Sequence, residues 1–277
     1  MIGFKMYSPC CRWYLEIRTD CGEVARLIEG LFGGFLVSEK PHREDIEALH
    51  VLIIKEGDGY LMMGRNKTYT IKNLPSVGFY IYAVIDKLIE GHMDDRFCVF
   101  HGGVIARDGA ALCILAPTMT GKSTMIAHFS LNGYDYLADD YIFIDRSRKT
   151  ICPVPMPVAL RSTAFLGDSL NGHFLTSGFN ELRGEDITLL NLFDEESQNG
   201  CEYIAQNVLL IHRTDENKLL EMSRGETYKE LLFNMKRAVD FERDARAIGG
   251  YANEFSGYRL LYSSFAYAAE CLEQILF

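Results

Sequence analysis

Residues 116–124, APTMTGKST, hold residue types and a spacing suited to gripping an anion. The pattern A-x-x-x-x-G-K-S sets a glycine, a lysine and a hydroxyl side by side after a short loop. Such a loop binds phosphate because its backbone N–H groups turn inward, helped by the positive end of the following helix. In that pattern Gly121 permits close backbone approach, Lys122 reaches the β- and γ-phosphates of a nucleotide, and Ser123 offers its hydroxyl to Mg2+. Ala116 stands where a glycine usually opens the loop, at a strand junction where a methyl group is tolerated. The expected nucleotide-binding segment is thus Ala116, Pro117, Thr118, Met119, Thr120, Gly121, Lys122, Ser123 and Thr124.

A pair of acids, Asp139 and Asp140, follows Lys122 closely. Apolar residues flank the pair on both sides: Tyr136, Leu137 and Ala138 before it, Tyr141 to Ile144 after it. Carboxylates in so apolar a setting need a partner, and a metal ion or a lysine suits them. If the pair sits on a strand, its two side chains point to opposite faces, leaving each acid a separate job.

The surrounding elements must position these groups. AALCILA (110–116) reads as a buried strand by its continuous apolar character, and STMIAHFSL (123–131) as a helix stopped by Asn132-Gly133. FCVFHGGVIA (97–106) and DYLADDYIFIDR (135–146) each read as a strand, the second interrupted by the two acids. The first 95 residues read as short strands and two helices. Among them, 51–56, 59–64 and 67–73 form a meander, and 76–93 has helical spacing. Proline-rich 151–160 is extended and irregular, and 165–200 has weak periodicity. Later, 203–213 is a strand, 223–240 a helix, 258–264 a strand and 266–277 a helix. The expected class is α/β, with a mixed, largely antiparallel sheet around a strand–P-loop–helix core. An N-terminal α/β region, 1–95, packs on a nucleotide-binding catalytic core, 96–277.

Composition narrows the function. The 277 residues are 48% hydrophobic and 24% charged, as in ordinary globular chains. A net charge of −10 argues against a general nucleic-acid or anionic-membrane partner. No apolar run spans a bilayer and no secretory signal opens the chain. The eight cysteines lack metal-site spacing, and reduced, mostly buried thiols in a cytoplasmic protein are expected.

The stretch FHGGVIARDGAALCILAPTMTGKSTMIAHFSLNGYDYLADDYIFID resembles the core of HPr kinase/phosphorylase and its relatives. Those enzymes share a phosphate-loop core with phosphoenolpyruvate carboxykinases. The shared marks are His101-Gly102, the Gly-Lys-Ser loop, and Ala138-Asp139-Asp140 after an N-G-Y turn. The resemblance is strong over 97–146 and diffuse elsewhere. It implies an ATP- and Mg2+-dependent kinase, with Lys122 on the phosphates and Ser123 and Asp140 on the metal. Asp139 would be the base that deprotonates an attacking serine, the order of the two acids being open, and His101 would steady the acids or the γ-phosphate. The family's downstream Glu-x-Arg-Gly motif matches Glu181-Leu182-Arg183-Gly184 incompletely, because Glu185-Asp186 follows. Arg161, after the proline-rich strand, rivals Arg183 as the phosphate-clamping arginine.

In size and layout the chain is similar to the small HPr-kinase-like proteins of peptide pathways, such as lasso-peptide precursor kinases. That implies a peptide or small-protein substrate carrying a serine. A small-molecule kinase, for instance on free serine, and a non-catalytic nucleotide-binding scaffold are the alternatives. A carboxykinase would need a second metal and basic substrate residues that no clear constellation supplies. The acceptor, the donor among ATP, GTP and pyrophosphate, reverse phosphorolysis and oligomeric state are left open by the sequence.

Overall fold

The computed structural model describes the chain except for residues 44, 118, 165, 195–201, 237–240 and 277. It divides into two compact units, Met1–Asp94 with Pro155–Leu192, and Asp95–Val154 with Phe193–Phe277. Residues 155–192 therefore join the N-terminal region rather than the expected 96–277 core.

In the first unit, strands β1 (Ile2–Tyr7), β2 (Trp13–Thr19), β3 (Glu47–Glu56), β4 (Gly59–Met63) and β5 (Thr68–Ile71) form one sheet in sequence order. The β2–β3 pair is parallel, and helix α1 (Gly22–Phe32) provides the crossover such a pair requires. Alternation along β2 buries Trp13, Leu15 and Ile17, while Val24, Leu27, Ile28 and Leu31 form the buried stripe of α1. Helix α2 (Leu74–Gly91) starts at Asn73, whose side chain accepts the Ser76 N–H at 3.0 Å.

A three-stranded antiparallel sheet completes this unit: β12 (Val158–Leu160), β14 (Glu185–Leu190) and β13 (Leu175–Asn180), in that spatial order. Gly178 explains its tie to α2. A Cβ there would stand 3.1 Å from Pro75 Cβ, so the strand backbone lies directly against the helix start. The β13–β14 hairpin falls in the stretch whose periodicity was too weak to read. Leu175 and Phe179 alternate outward and exposed, which blurs the usual apolar signal.

The second unit is built on two sheets. Six strands run in the order β16 (Lys218–Met222), β17 (Ser256–Tyr262), β15 (Ile204–Arg213), β8 (Ala110–Leu115), β7 (Gly103–Arg107) and β9 (Asp135–Ala138). The central β17–β15–β8 strands are parallel and the outer pairs antiparallel, a mixed sheet. Burial of β8 and mid-β15 accounts for their continuous apolar runs. The second sheet orders β11 (Ile151–Cys152), β10 (Ile142–Asp145) and β6 (Phe97–Phe100). Helices α3 (Lys122–Ser130), α4 (Arg224–Phe233), α5 (Phe241–Glu254) and α6 (Phe265–Leu276) accompany them.

Two readings of the sequence are corrected here. The runs 97–106 and 135–146 are each two strands, because the chain changes sheet at His101-Gly102 and again at Asp139–Tyr141. The cysteines are not all thiols. Cys11, Cys21, Cys98, Cys113 and Cys271 are free, whereas Cys10 is in a disulfide, as is Cys152. Among the described residues, no helix is long and apolar enough to cross a membrane.

Candidate functional site

The two changes of sheet face each other. β6 pairs with β10 so that Phe100 opposes Ile142, and β7 pairs with β9 so that Val104 opposes Ala138. Between those registers lie His101 to Gly103 on one strand pair and Asp139 to Tyr141 on the other. The sequence's titratable motif residues thus occupy a seam where an antiparallel ribbon passes from one sheet to the next. Gly102 lets the seam close: a Cβ there would stand 2.6 Å from Ile142 Cδ1 and 2.7 Å from the Ile114 carbonyl oxygen.

The third contributor is the turn from β8 into α3. Met119 has φ 66° and Gly121 φ 94°, two left-handed residues that bend the backbone sharply before the helix. Thr120 Oγ1 donates to the Pro117 carbonyl at 2.7 Å. The Tyr262 hydroxyl, from the end of β17, donates to the Thr120 carbonyl at 3.3 Å. At Gly121 a Cβ would meet that hydroxyl at 2.9 Å, in a backbone conformation that already favours glycine. Gly121 is the N-cap of α3 and brings no side-chain acceptor, and the first turn of the helix carries no acid. Its leading N–H groups therefore have no side-chain cap, the condition under which a helix start receives an anion.

Lys122, the first residue of α3, is buried and reaches into the seam. Its Nζ donates to Asp139 Oδ1 in a short contact and to Asp140 Oδ1 at 2.9 Å. Both carboxylates thus share one cation, which differs from the expected opposed side chains. The reason is backbone. Strand β9 ends at Ala138, so both acids lie beyond it, and the left-handed φ of 68° at Asp140 breaks any strand alternation between them.

One cation facing two carboxylates leaves the cluster one negative charge over. Burial pulls the Lys122 ammonium toward its neutral form, but the adjoining carboxylates outweigh this and hold it above its usual range. Burial raises the Asp139 carboxyl, against the pull of Lys122 and with the push of Asp140. Asp140 goes the other way, to about 2, because Lys122, His101 and Lys236 together overcome its burial. The buried Asp139 is consequently the more basic carboxylate. His101, half-buried, is lowered chiefly by burial and next by Lys122, which favours the neutral ring.

Sequence reasoning missed two neighbours. Tyr262 carried no local signal, being a strand-end aromatic remote in sequence from the loop it supports. Lys236 lay inside a run read as helix 223–240, but α4 ends at Phe233. Residues 234–236 instead lie along the outer edge of β6: His101 N–H donates to the Asn234 carbonyl at 2.6 Å, and Lys236 N–H to the Val99 carbonyl at 2.9 Å. The Lys236 ammonium stands 3.6 Å from the centroid of the buried Tyr141 ring, which follows Asp140 directly.

The remaining expected residues fall as follows. Ser123 and Thr124 sit in the first turn of α3, the Ser123 hydroxyl lowering the Asp139 carboxyl slightly, and Ala116 and Pro117 lead out of β8; Thr118 lies outside the described residues. Arg161 and Arg183 belong to the first unit. Arg161 pairs with Glu185 at 2.7 Å. Arg183 lies in the β13–β14 turn, whose Glu181 pairs with Lys72 at 3.0 Å.

No family profile matches the chain, and no curated protein matches it. Among solved structures, the Hpr(Ser) kinase/phosphatase from Coxiella burnetii is similar over 64% of this chain and 91% of its own, with 7% identity and a TM-score of 0.32. A likeness that distant carries no argument about function.

Proposed function

We propose that the seam is a phosphotransfer site and that the protein is an ATP- and Mg2+-dependent kinase acting on a serine hydroxyl of a peptide or small protein. The observation that carries this reading is a single buried lysine, at a helix start without a side-chain cap, shared by two carboxylates of unequal basicity. Phosphoryl transfer asks for charge neutralisation and positioning, and these groups supply both.

In this reading the loop N–H groups and Lys122 hold the β- and γ-phosphates. Asp139 accepts the serine proton as the serine oxygen bonds to the γ-phosphorus and the bond to the bridging oxygen breaks, releasing ADP. Its raised pKa and burial suit a general base. Asp140 and the Ser123 hydroxyl are hard oxygen donors in the number Mg2+ takes from protein when phosphate oxygens and water complete its shell. The metal would neutralise charge on the phosphates. A neutral His101 can donate to or accept from the same oxygens. The peptide acceptor rests on the resemblance in size and layout alone.

Calorimetric titration with Mg·ATP, followed by mass spectrometry of serine-containing peptides, tests the reading. Wild type should bind, Ser123→Ala should bind with weakened magnesium dependence, and Asp139→Asn should bind without transferring phosphate. Folded wild-type protein that takes up no nucleotide in the presence of magnesium would overturn it.

A further inference from the structure

The central parallel strands end beside the phosphate loop, and one of them outruns its neighbour. The last register pair between β15 and β8 is Leu210 with Leu115, after which β8 gives way to the loop. β15 continues roughly 10 Å further, to Arg213, and pairs there with Tyr262, the last residue of β17. Alternation sets the face on which Arg213 stands. Asn207 and Arg213 lie on one face of β15, with Tyr262 beside Arg213 on the same face of β17. Asn207 Nδ2 donates to the Ile275 carbonyl of α6 at 3.4 Å, whereas Arg259, on the opposite face of β17, pairs with Glu226 of α4 at 3.9 Å. The Tyr262 hydroxyl donates to the Thr120 carbonyl at 3.3 Å, so the loop bends over the α6 face. Arg213 thus leaves its strand beside the loop and on the loop's own side. It is exposed, and among the described residues its guanidinium has no ion pair or hydrogen-bond partner. Its charge is felt at the Tyr262 hydroxyl.

Sheet order puts Arg213 and the seam on opposite sides of the loop. β7 and β9, bordered by His101 and Asp139, flank β8 on one side, and β15 and β17 flank it on the other. Lys122 donates to both carboxylates, so a phosphate that it holds faces the seam. A phosphate chain with its terminal group in the seam then runs out across β8 toward β15. Strands lie about 4.8 Å apart, so β9 to β15 spans about 14 Å, the reach of an extended nucleoside triphosphate. We propose that the phosphoryl donor is a nucleoside triphosphate rather than pyrophosphate, and that Arg213 receives its nucleoside end, laying the guanidinium against the base. This rests on the phosphotransfer reading above. A guanidinium suits the task because it is planar, weakly hydrated and attracted to an aromatic face. Standing past the end of β8, it lies beyond the loop N–H groups that take the phosphates.

The test separates the nucleoside from the phosphates. Kd is measured for Mg·ATP and for Mg·tripolyphosphate, which has the same phosphate chain without a nucleoside, on wild type and Arg213→Met. Arg213 is exposed at a strand end, so the fold is retained and melting temperature serves as the control. Wild type should bind ATP more tightly than tripolyphosphate. Arg213→Met should lose about tenfold in affinity for ATP, with tripolyphosphate unchanged. Unchanged ATP affinity in Arg213→Met overturns the assignment while leaving the phosphotransfer reading intact. An equal loss for both ligands also overturns it, because the guanidinium would then serve the phosphates. A wild type that binds tripolyphosphate as tightly as ATP overturns the nucleoside donor. A wild type that binds neither overturns both readings.

Discussion

Lys122 is the residue on which the charge balance of the seam depends. Replacing it by methionine removes the only ammonium hydrogen-bonded to Asp139 among the described residues and strands a buried carboxylate. Chemical denaturation of Lys122→Met should show a loss of about 3 kcal/mol, in the range for breaking a buried ion pair from one side. Asp139→Asn should cost far less, because Asp140 keeps the lysine paired. If the two variants lose equal stability, the one-cation, two-carboxylate description fails. At this scale much was legible in the sequence. The lysine and both acids were named from residue types and spacing, His101 from the family resemblance, and the structure gathers them around one seam. What could not be read was the positive φ of Asp140, since nothing in an Asp-Asp pair announces that the strand has already ended at Ala138. Tyr262 and Lys236 were equally hidden, because each lies more than a hundred residues from the backbone it bonds, Thr120 and Val99.

Elements were read best where their signal was local. Helix α2 is an example: apolar spacing predicts a helix over 76–93, and the helix runs Leu74–Gly91. Its start is fixed by Asn73, which the sequence alone places at the end of a strand and whose side chain accepts the Ser76 N–H. Asn73→Ala should lower unfolding free energy by about 1 kcal/mol without altering nucleotide affinity, as thermal melts and calorimetry would show. No change in stability would mean that the cap is redundant with packing. The run 97–106 was read as one strand, and 135–146 as one strand interrupted by its two acids, because periodicity reports burial and not which sheet receives the strand. The His101-Gly102 pair marks the break only once Ile142 and Ile114 are seen pressing on the glycine. The β13–β14 hairpin escaped because its outward Leu175 and Phe179 cancel the alternation expected of a half-buried sheet.

At the scale of the whole molecule, acid should unfold the protein through carboxylates held in their charged form. Asp145 is buried, yet it accepts bonds from the Ser147 hydroxyl and N–H, the Arg148 N–H and the Arg96 guanidinium. Against the cost of burial, these hold its pKa well below the usual carboxylate range. A depressed folded pKa contributes stability that is complete above the unfolded value of about 4 and fades as pH falls through the folded one. Melting temperature should therefore drop as pH is taken below about 4, and Asp145→Asn should be less stable at neutral pH with a shallower acid limb. An identical acid limb in that variant would remove Asp145 from the account. The division into units has a consequence in time rather than in space. A ribosome adding roughly 5–20 residues per second finishes α2 several seconds before it reaches β13, whose backbone lies against the start of that helix. Within that interval the Gly-Lys-Ser segment is completed, while β13 and β14 of the first unit are still to be made. The protein is thus synthesised with its Gly-Lys-Ser loop ahead of the last strands of its first unit, and chaperone dependence should centre on chains halted between residues 95 and 192.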